Sequence, residues 1–268
     1  MVVVMARRAA IELAPWRVVE SNLRRWRRTW HGSAFSSFVS PTLFLAAMGL
    51  GLGSLVDRGG SGGELGGTSY LAFVGAGLLA ATTFQNAAGE SAWPVRLGIK
   101  WGRTYHAMIA TPLQVRDIVL GQLVSVAMRL MVSAAIFAVV MTLFRVAGVG
   151  RSLLAVLPAV LTGMAISPPV VAYTSWIDDD EALAYLFRFG IVPVFLLSGA
   201  FFPISQLPGW LQPVAWATPL WHGVELTRWV ALGLAPGAPV PLHVGYLAAW
   251  GAAGTLLAVR LLGRKLTP

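Results

Sequence analysis

Apolar residues recur along the chain in long runs bounded by charged residues or by turn-forming glycine and proline. A helix needs about 20 residues to cross the roughly 30 Å hydrocarbon core of a membrane. Runs near this length predict six membrane-spanning helices. The predicted spans are 35–56, 69–89, 118–144, 152–175, 186–202 and 242–262. The pattern therefore predicts an all-α integral membrane protein, with a cytoplasmic N-terminal segment, 1–34, and one six-span domain, 35–268.

Composition supports a membrane protein and excludes a water-soluble globule. Of the 268 residues, 56% are hydrophobic and 12% are charged, whereas soluble domains usually carry about 25% charged residues. The chain contains no cysteine, which excludes disulfides, thiolate metal sites and thiol nucleophiles. Arg7, Arg8 and Glu12 stand where a signal peptide would have its apolar core, so we do not expect a cleaved signal peptide.

Basic residues are distributed unevenly among the predicted loops. With the N-terminus placed in the cytoplasm, 15 of the 20 lysines and arginines lie inside or at inner span ends. Arg58, Arg145, Arg151 and Arg228 lie outside, and Arg129 lies within the third span. Because cytoplasmic loops of membrane proteins are rich in lysine and arginine, this distribution predicts that both termini are cytoplasmic. It also accounts for the net charge of +9, so nucleic acid is not expected as a partner.

The N-terminal segment carries an amphipathic pattern. Its large apolar residues follow 3-4-3-4 spacing, while its arginines, including Arg24 and Arg25, lie largely elsewhere around the helix. This pattern is typical of a helix that lies in the membrane interface. Two interpretations stay open: the helix only anchors the first span, or it is an elbow that also contacts a cytoplasmic partner. The apolar positions are Trp16, Val19, Leu23, Trp26 and Trp30.

The longest polar interruption on the predicted cytoplasmic side, 90–117, combines basic and aromatic residues with a helix-forming stretch from about Thr104 to Ala110. Thr111-Pro112 is expected to end that helix, because the residue before a proline avoids helical geometry. Aromatic, methionine and arginine side chains are enriched at protein interfaces. We therefore favour a docking surface over a solvated linker for this loop.

The segment 196–230 interrupts the apolar pattern with Gly199 and four prolines among hydrophobic and tryptophan residues. It cannot be one straight helix, yet it is too apolar for a free loop. We expect two short re-entrant helices that dip into the outer leaflet between the fifth and sixth spans. Glu225 and Arg228 are candidates for an ion pair on the second of these helices, and His222 is expected to be an interfacial side chain.

Polar residues within the predicted spans are informative, because burying them in lipid is costly. Thr82, Gln85 and Asn86 lie in the second span, with Glu90 at its inner end. Arg129 lies roughly three helical turns into the third span. At that depth it has to snorkel, pair with a residue such as Glu90, or bind an anionic substrate headgroup. Helix packing and a substrate pathway both explain such residues.

Motifs for enzymatic chemistry are absent from the sequence. It lacks the P-loop pattern GxxxxGK[ST], so any ATP site of this kind has to lie on another chain. The histidines are scattered, and no metal site is predicted. The acidic run from Asp178 to Glu181 is most typical of a solvated cap at the start of the next helix. The alternative function is an intramembrane transferase acting on a lipid-linked substrate. Such an enzyme needs basic residues beside its carboxylates, and only Arg188 follows in this loop.

One block of the sequence carries a family signature. The stretch SGAFFPISQLPGWLQPVAWATPLWHGVELTR at 198–228 resembles the "SG-x-x-FP, LP, PL-x-H, R" signature of ABC-2 type permeases. Similar blocks follow the family order at GLGLGSLV (49–56), GTSYLAFVGAGLLAATTF (67–84) and RTYHAMIATPLQVRDIVLGQL (103–123). Over nearly the whole chain, the sequence resembles permeases for lipo-oligosaccharide or nodulation-factor export, with drug export permeases as more distant relatives.

The resemblance implies a homodimer, or a pair of similar permeases, bound to two cytoplasmic ATPase subunits. Those subunits would hold ATP and Mg, and this chain would need no cofactor. Export of a lipid, glycolipid or hydrophobic drug across a bacterial cytoplasmic membrane would proceed by alternating access. The coupling residues would be Arg103, Thr104, Tyr105, His106, Pro112 and Leu113. The pathway would include Thr82, Gln85, Asn86, Arg129, Ser198 and Phe202, and the interfacial helix would present Trp16, Arg24, Arg25 and Trp26.

Overall fold

The computed structural model describes residues 14–28, 30–53 and 65–267. All regular elements in these ranges are helices. Three of the helices, which begin at Trp30, Tyr70 and Glu181, continue as π-helical turns over Ala47–Gly53, Leu97–Trp101 and Leu186–Ile191. The helices are α1 (Ala14–Trp26), α2 (Trp30–Ala46), α3 (Tyr70–Arg96), α4 (Thr104–Ile109), α5 (Val115–Leu143), α6 (Val149–Leu154), α7 (Val156–Trp176), α8 (Glu181–Tyr185), α9 (Val192–Leu197), α10 (Gln212–Trp216), α11 (Pro219–Leu232) and α12 (Val240–Leu266).

Among the described residues, four helical stretches are long and apolar enough to cross a membrane: Tyr70–Trp101, Val115–Leu143, Val149–Trp176 and Val240–Leu266. They coincide with the second, third, fourth and sixth predicted spans, which makes the chain an all-helical, multi-pass membrane protein. The first and fifth predicted spans fall on the helical runs 30–53 and 181–197, and their crossing of the membrane stays a prediction.

Several sequence features fall beyond the described residues. The first 13 residues, which include Arg7, Arg8 and Glu12, lie outside the described ranges. So do Arg58 and the last three residues of the first predicted span.

Helix α3 forms the centre of the bundle. The most apolar part of α3 is 78% buried, although its mean hydropathy is only 1.3. The most apolar part of α5 has a higher mean hydropathy, 2.3, yet only 44% of it is buried. Glycines, which have no side chain, let neighbouring helices approach closely. A Cβ on Gly223 of α11 would lie 2.7 Å from Thr162 Cβ of α7, and one on Gly254 of α12 would lie 2.6 Å from the nitrogen of Pro169 in α7.

Helix α1 packs on the start of α5. A Cβ on Gly121 would lie 2.6 Å from Val18 Cβ, and Asn22 donates from Nδ2 to Gln122 Oε1 at 3.0 Å. The buried face of α1 is therefore centred on Val18 and Asn22, whereas Trp16 is 55% exposed. Val19 of the predicted apolar face is buried as well, and the remaining apolar positions of that face stay assigned to the membrane interface as a prediction. The placement of α1 in the membrane interface stays a prediction.

The segment after α9 contains two short helices, α10 and α11, where the sequence predicts two. Thr218 caps α11 by accepting a hydrogen bond from the backbone N–H of Trp221 at 3.3 Å. Gly199 begins the turn that follows α9 with a φ of +77°, which glycine adopts without a steric cost. The re-entry of these helices into the membrane stays a prediction.

The expected ion pair between Glu225 and Arg228 does not form. The buried Arg228 guanidinium donates instead to the carbonyl oxygens of Gly199 at 2.7 Å and Ala200 at 3.0 Å. Glu225 Oε2 accepts from the backbone N–H of Gly237 at 2.7 Å. The three-residue spacing allowed the pair, but the turn after α9 offers Arg228 closer acceptors.

Candidate functional site

A stripe of polar residues follows one face of the otherwise apolar helix α5. Gln122, Ser125, Arg129 and Ser133 are spaced by three, four and four residues, which places them on a single helix face. At 1.5 Å per residue the stripe extends for about 16 Å along the helix. Polar groups over such a length inside a membrane helix require partners or water.

The stripe finds its partners on three other helices. Arg129 Nη1 contacts Glu90 Oε2 of α3 at 2.6 Å, which confirms the pairing that the sequence offered among the explanations for this charge. The remaining contacts are hydrogen bonds from α1, α2 and α3. They join Asn22 Nδ2 to Ser125 Oγ (3.1 Å), Gln122 Nε2 to Glu90 O (3.2 Å), Asn86 Nδ2 to Ser133 Oγ (3.2 Å), and Ser37 Oγ to Ser133 Oγ (3.1 Å).

Beside this stripe lies a cavity of about 470 Å³, which is within the usual size range of small-molecule sites. Its wall combines tryptophans, aliphatic side chains, hydroxyls, carboxamides and one ion pair. A second cavity of about 220 Å³ continues along α2, α3 and α5 and includes Thr82. The first cavity is lined by Trp26, Trp30, Ala34, Ser37, Gln85, Asn86, Gly89, Glu90, Trp93, Pro94, Arg129, Leu130, Val132, Ser133 and Ile136.

The structure brings together four of the six residues that the sequence assigns to the pathway. Gln85, Asn86 and Arg129 line the larger cavity, and Thr82 lines the smaller one. The other two, Ser198 and Phe202, line neither. Ser198 is buried at the end of α9, where its hydroxyl donates to Phe195 O at 2.8 Å.

Sequence reasoning missed several members of the site. Ser133 and Gln122 carry a signal, since their spacing from Arg129 puts polar residues on one face of an apolar helix. Asn22 and Ser37 carry none, because their contacts to α5 depend on how α1 and α2 cross that helix.

A second polar cluster lies at the end of α3 that the sequence predicts to be cytoplasmic. The side chain of Arg96 is 1% exposed and contacts Asp180 Oδ1 through Nε at 2.5 Å. It also donates to the carbonyls of Ile177 and Asp178. Lys100 contacts the other carboxylate oxygen of Asp180 at 3.0 Å. Hydrogen bonds from Arg96 and Lys100 hold the pKa of Asp180 below its usual value.

This cluster corrects the expectation that only Arg188 accompanies the acidic run. Arg96, Lys100 and Lys265 come from distant parts of the sequence and pair with Asp178 and Asp180. The run is therefore a clamp that ties α3, the loop before α8 and the C-terminal end of α12 together. Among the described residues, no group of three or more potential ligands could hold a metal ion.

The predicted coupling loop contains both exposed and buried residues. Arg103, His106 and Pro112 are exposed, whereas Tyr105 is 2% exposed and its ring packs against Gly98. Burial raises the pKa of Tyr105, so its phenol stays neutral. Arg103 adopts a positive φ of 45°, which is uncommon outside glycine.

A basic groove flanks the coupling loop. Arg103 and His106 line it together with Lys100, Lys265 and the carboxylate of Asp178, and its volume is about 380 Å³. Lys265 pairs with Asp178 and Lys100 with Asp180, so the lining has an excess of basic side chains that is partly neutralised. Exposed basic side chains in a groove attract acidic surfaces. The groove therefore gives the loop a charged side as well as an apolar one.

His222 differs from its predicted interfacial position. It is buried in α11, and its Nδ1 lies 2.8 Å from Nδ1 of His243 in α12. Tyr246 stacks on the His222 ring with centroids 4.0 Å apart. Burial lowers the pKa of His222, which lies outside the four candidate spans, to about 4. His222 is thus uncharged at neutral pH, and the two rings form a contact between α11 and α12.

Membrane-length helices beside a polar cavity define a multi-pass membrane protein. Comparison with known proteins supplies the family: residues 16–232 match the ABC-2 type transporter family, and the chain belongs to it. It is therefore a permease of this family.

Three bacterial relatives named nodulation protein J are similar over nearly the whole chain. The protein from Rhizobium meliloti (strain 1021) is 32% identical, with 96% of this chain and 94% of the relative covered. The one from Rhizobium leguminosarum bv. trifolii is 32% identical, with 95% and 93% covered. The one from Sinorhizobium fredii (strain NBRC 101917 / NGR234) is 29% identical, with 96% and 97% covered.

Proposed function

We propose that the chain is the membrane subunit of an ATP-driven exporter and that the cavity beside α5 is part of its substrate path. The observation that supports this proposal most is the cavity itself, which brings Gln85, Asn86 and the Glu90–Arg129 pair together beside helices long enough to cross a membrane, in a chain of a transporter family. Polar groups in such a position are costly unless they serve packing or a pathway. An open volume of about 470 Å³ favours a pathway.

The proposed topology has six spans with both termini in the cytoplasm of a bacterium. The run 30–53 comprises 24 helical residues and the run 181–197 comprises 17. At 1.5 Å per residue these runs extend for about 36 Å and about 26 Å, close to the thickness of the hydrocarbon core. Helices α10 and α11 would then enter the outer leaflet. Neighbouring parts of the protein would shield the backbone polar groups at their ends from lipid.

The proposed coupling element is the loop that contains α4. Its exposed residues, Arg103, His106 and Pro112, would contact a separate ATPase subunit, with Thr104 and Leu113 beside them. Tyr105 would not contact the ATPase directly, because it is buried. Its ring packs between α4 and Gly98 at the end of α3 and would connect the two helices. Since α3 also lines the cavity, motion of α4 would reach the substrate path through one continuous helix.

The proposed assembly pairs two permeases with two ATPase subunits, which bind ATP and Mg. Closure of the ATPase pair would move α4 in each permease, so that the cavity opens alternately to the two sides of the membrane. The apolar and polar lining suits an amphipathic substrate: a lipid, a glycolipid or a hydrophobic drug. The resemblance of the sequence to permeases for lipo-oligosaccharide export favours the glycolipid among these. Ser198 and Phe202, outside the two cavities, would line a later part of the path.

Copurification tests this proposal. The tagged chain, expressed with the ATPase encoded beside it, is expected to retain that ATPase, and the isolated chain is expected to hydrolyse no ATP. Arg103→Ala and His106→Ala should weaken retention of the ATPase while leaving the thermal midpoint unchanged, because both side chains are exposed. Tyr105→Phe keeps the ring and should behave as the wild type.

Arg188→Ala is the matched control for these variants, because Arg188 is exposed and lies outside the loop. Retention of the ATPase at wild-type levels by both Arg103→Ala and His106→Ala would reject the coupling role. Catalytic turnover of a lipid-linked donor by the isolated chain would reject the permease assignment.

A further inference from the structure

The Glu90–Arg129 pair is accessible from the cavity and incompletely satisfied. The two side chains are 32% and 17% exposed, so a ligand in the cavity reaches both. A guanidinium carries five N–H donors. Arg129 Nε is buried and finds no acceptor among the described residues. This nitrogen is closed off from the cavity while Arg129 contacts Glu90, so a ligand acceptor would reach it only when the guanidinium turns from Glu90 toward the ligand.

The charge of the pair restricts the ligand. The pair is neutral overall, and an isolated charge brought into such an environment carries a desolvation penalty. A purely anionic headgroup would share Arg129 with the carboxylate of Glu90 at contact distance, and like charges repel there. A purely cationic headgroup would meet the guanidinium in the same way. A headgroup with one charge of each sign would pair with both residues at once and leave no net charge.

The remaining lining suits the cationic end of such a headgroup. Trp26, Trp30 and Trp93 line the same cavity as Glu90, and indole faces attract ammonium groups more strongly than other aromatic rings do. Leu130 and Ile136 border the same cavity and offer apolar contact to a hydrocarbon chain.

We propose that the cavity recognises the headgroup of a zwitterionic amphiphile, with its anionic group on Arg129 and its ammonium at Glu90 among the tryptophans. This assignment rests on the proposed function and narrows its substrate class. Glu90 and Arg129 exchange partners on binding: they contact each other in the empty cavity and contact the ligand when it is occupied.

Binding of short-chain lipids to the full chain in detergent tests the assignment. The three probes are dihexanoylphosphatidylethanolamine, its N-acetyl derivative, which keeps the phosphate but loses the ammonium, and a dihexanoylglycerol glucoside, which has no charge. The zwitterionic probe should bind roughly tenfold more tightly than the other two, as expected for one net charge-assisted contact.

Variants separate recognition from folding. Glu90→Gln and Arg129→Gln should each abolish the preference for the zwitterionic probe. The charge swap Glu90→Arg/Arg129→Glu retains an ion pair and should keep the thermal midpoint, yet lose the preference, because the hydrocarbon chains fix which end of the headgroup meets which residue. Glu181→Gln and Arg188→Gln, at exposed positions outside the cavity, should retain it.

Two results would overturn the assignment: equally tight binding of the glucoside or the N-acetyl probe by the wild type, or an undiminished preference in the charge swap. A complex that retains its ATPase and transports substrate, but shows no headgroup preference, rejects the zwitterion and leaves the proposed function standing. A chain that shows the preference but binds no ATPase supports the zwitterion site and rejects the exporter.

Discussion

The close approach of α11 to α7 makes Gly223→Ala a sharp test of the packing. The added Cβ would lie 2.7 Å from Thr162 Cβ and closer still to the hydroxyl, whereas carbon atoms in contact are about 3.5–4.0 Å apart. The helices therefore have to separate by about 1 Å. Overpacking of this kind costs about 1–3 kcal/mol, and replacing helical glycine by alanine returns up to about 1 kcal/mol. We expect a net loss of about 1–2 kcal/mol in the free energy of unfolding.

The matched control is Gly245→Ala on α12, since a Cβ at Gly245 meets nothing within 4 Å. It should leave stability unchanged or raise it by up to about 1 kcal/mol. The difference between the two alanine variants isolates the steric contact. Unfolding by SDS titration of the detergent-solubilised chain measures both values.

A double-mutant cycle with Thr162→Gly tests the cause. The glycine removes all side-chain atoms that the new Cβ meets, at a cost of about 1 kcal/mol for weaker helix propensity and lost contacts. The double variant Gly223→Ala/Thr162→Gly should therefore lose at least about 1 kcal/mol less than the sum of the single losses. Additive losses, or a stable Gly223→Ala variant, would show that the two helices do not cross at these residues.

Two further predictions concern polar contacts between helices. Arg96→Gln should destabilise the chain by about 1–3 kcal/mol, since it removes the guanidinium donors to the carbonyls of Ile177 and Asp178 and to one oxygen of Asp180. Lys265 and Lys100 still donate to Ile177 and Asp180, which limits the loss, and SDS titration should show no such loss for the exposed Arg264→Gln. For His222, the lowered pKa of about 4 means that the folded chain binds fewer protons than the unfolded chain between pH 4 and 6.5. Stability should thus be full above pH 6.5 and fall by at most about 3 kcal/mol as the pH drops to 4. The variant His222→Asn should flatten this pH profile and the exposed His106→Asn should not, and an unchanged slope in His222→Asn contradicts the assignment.

The membrane helices and part of the cavity could be predicted from the sequence, because both produce a periodic or compositional signal. Long apolar runs locate the four candidate spans found among the described residues. Polar residues in the second span and Arg129 in the third stand out against their apolar neighbours, and helical geometry then brings Gln85 and Asn86 to one cavity.

Contacts between helices leave no comparable signal. The face of α1 that is buried depends on Gly121 in α5, where a missing side chain admits Val18. The Arg96–Asp180 clamp joins residues 84 positions apart. A buried charge such as that of Arg96 needs a partner of opposite charge. Several carboxylates of the chain could serve as that partner until the crossing of the helices is known.

The burial of α3 also has a consequence for how the chain is made. This helix combines the lowest mean hydropathy of the four candidate spans, 1.3, with the highest buried share, 78%, so its favourable surroundings are other helices rather than lipid. During synthesis α3 leaves the ribosome before α5, α7 and α11 exist. A weakly apolar segment partitions poorly into a bilayer on its own, and its lasting insertion therefore depends on helices translated after it. Chains truncated before α5 should accordingly lose α3 from the membrane.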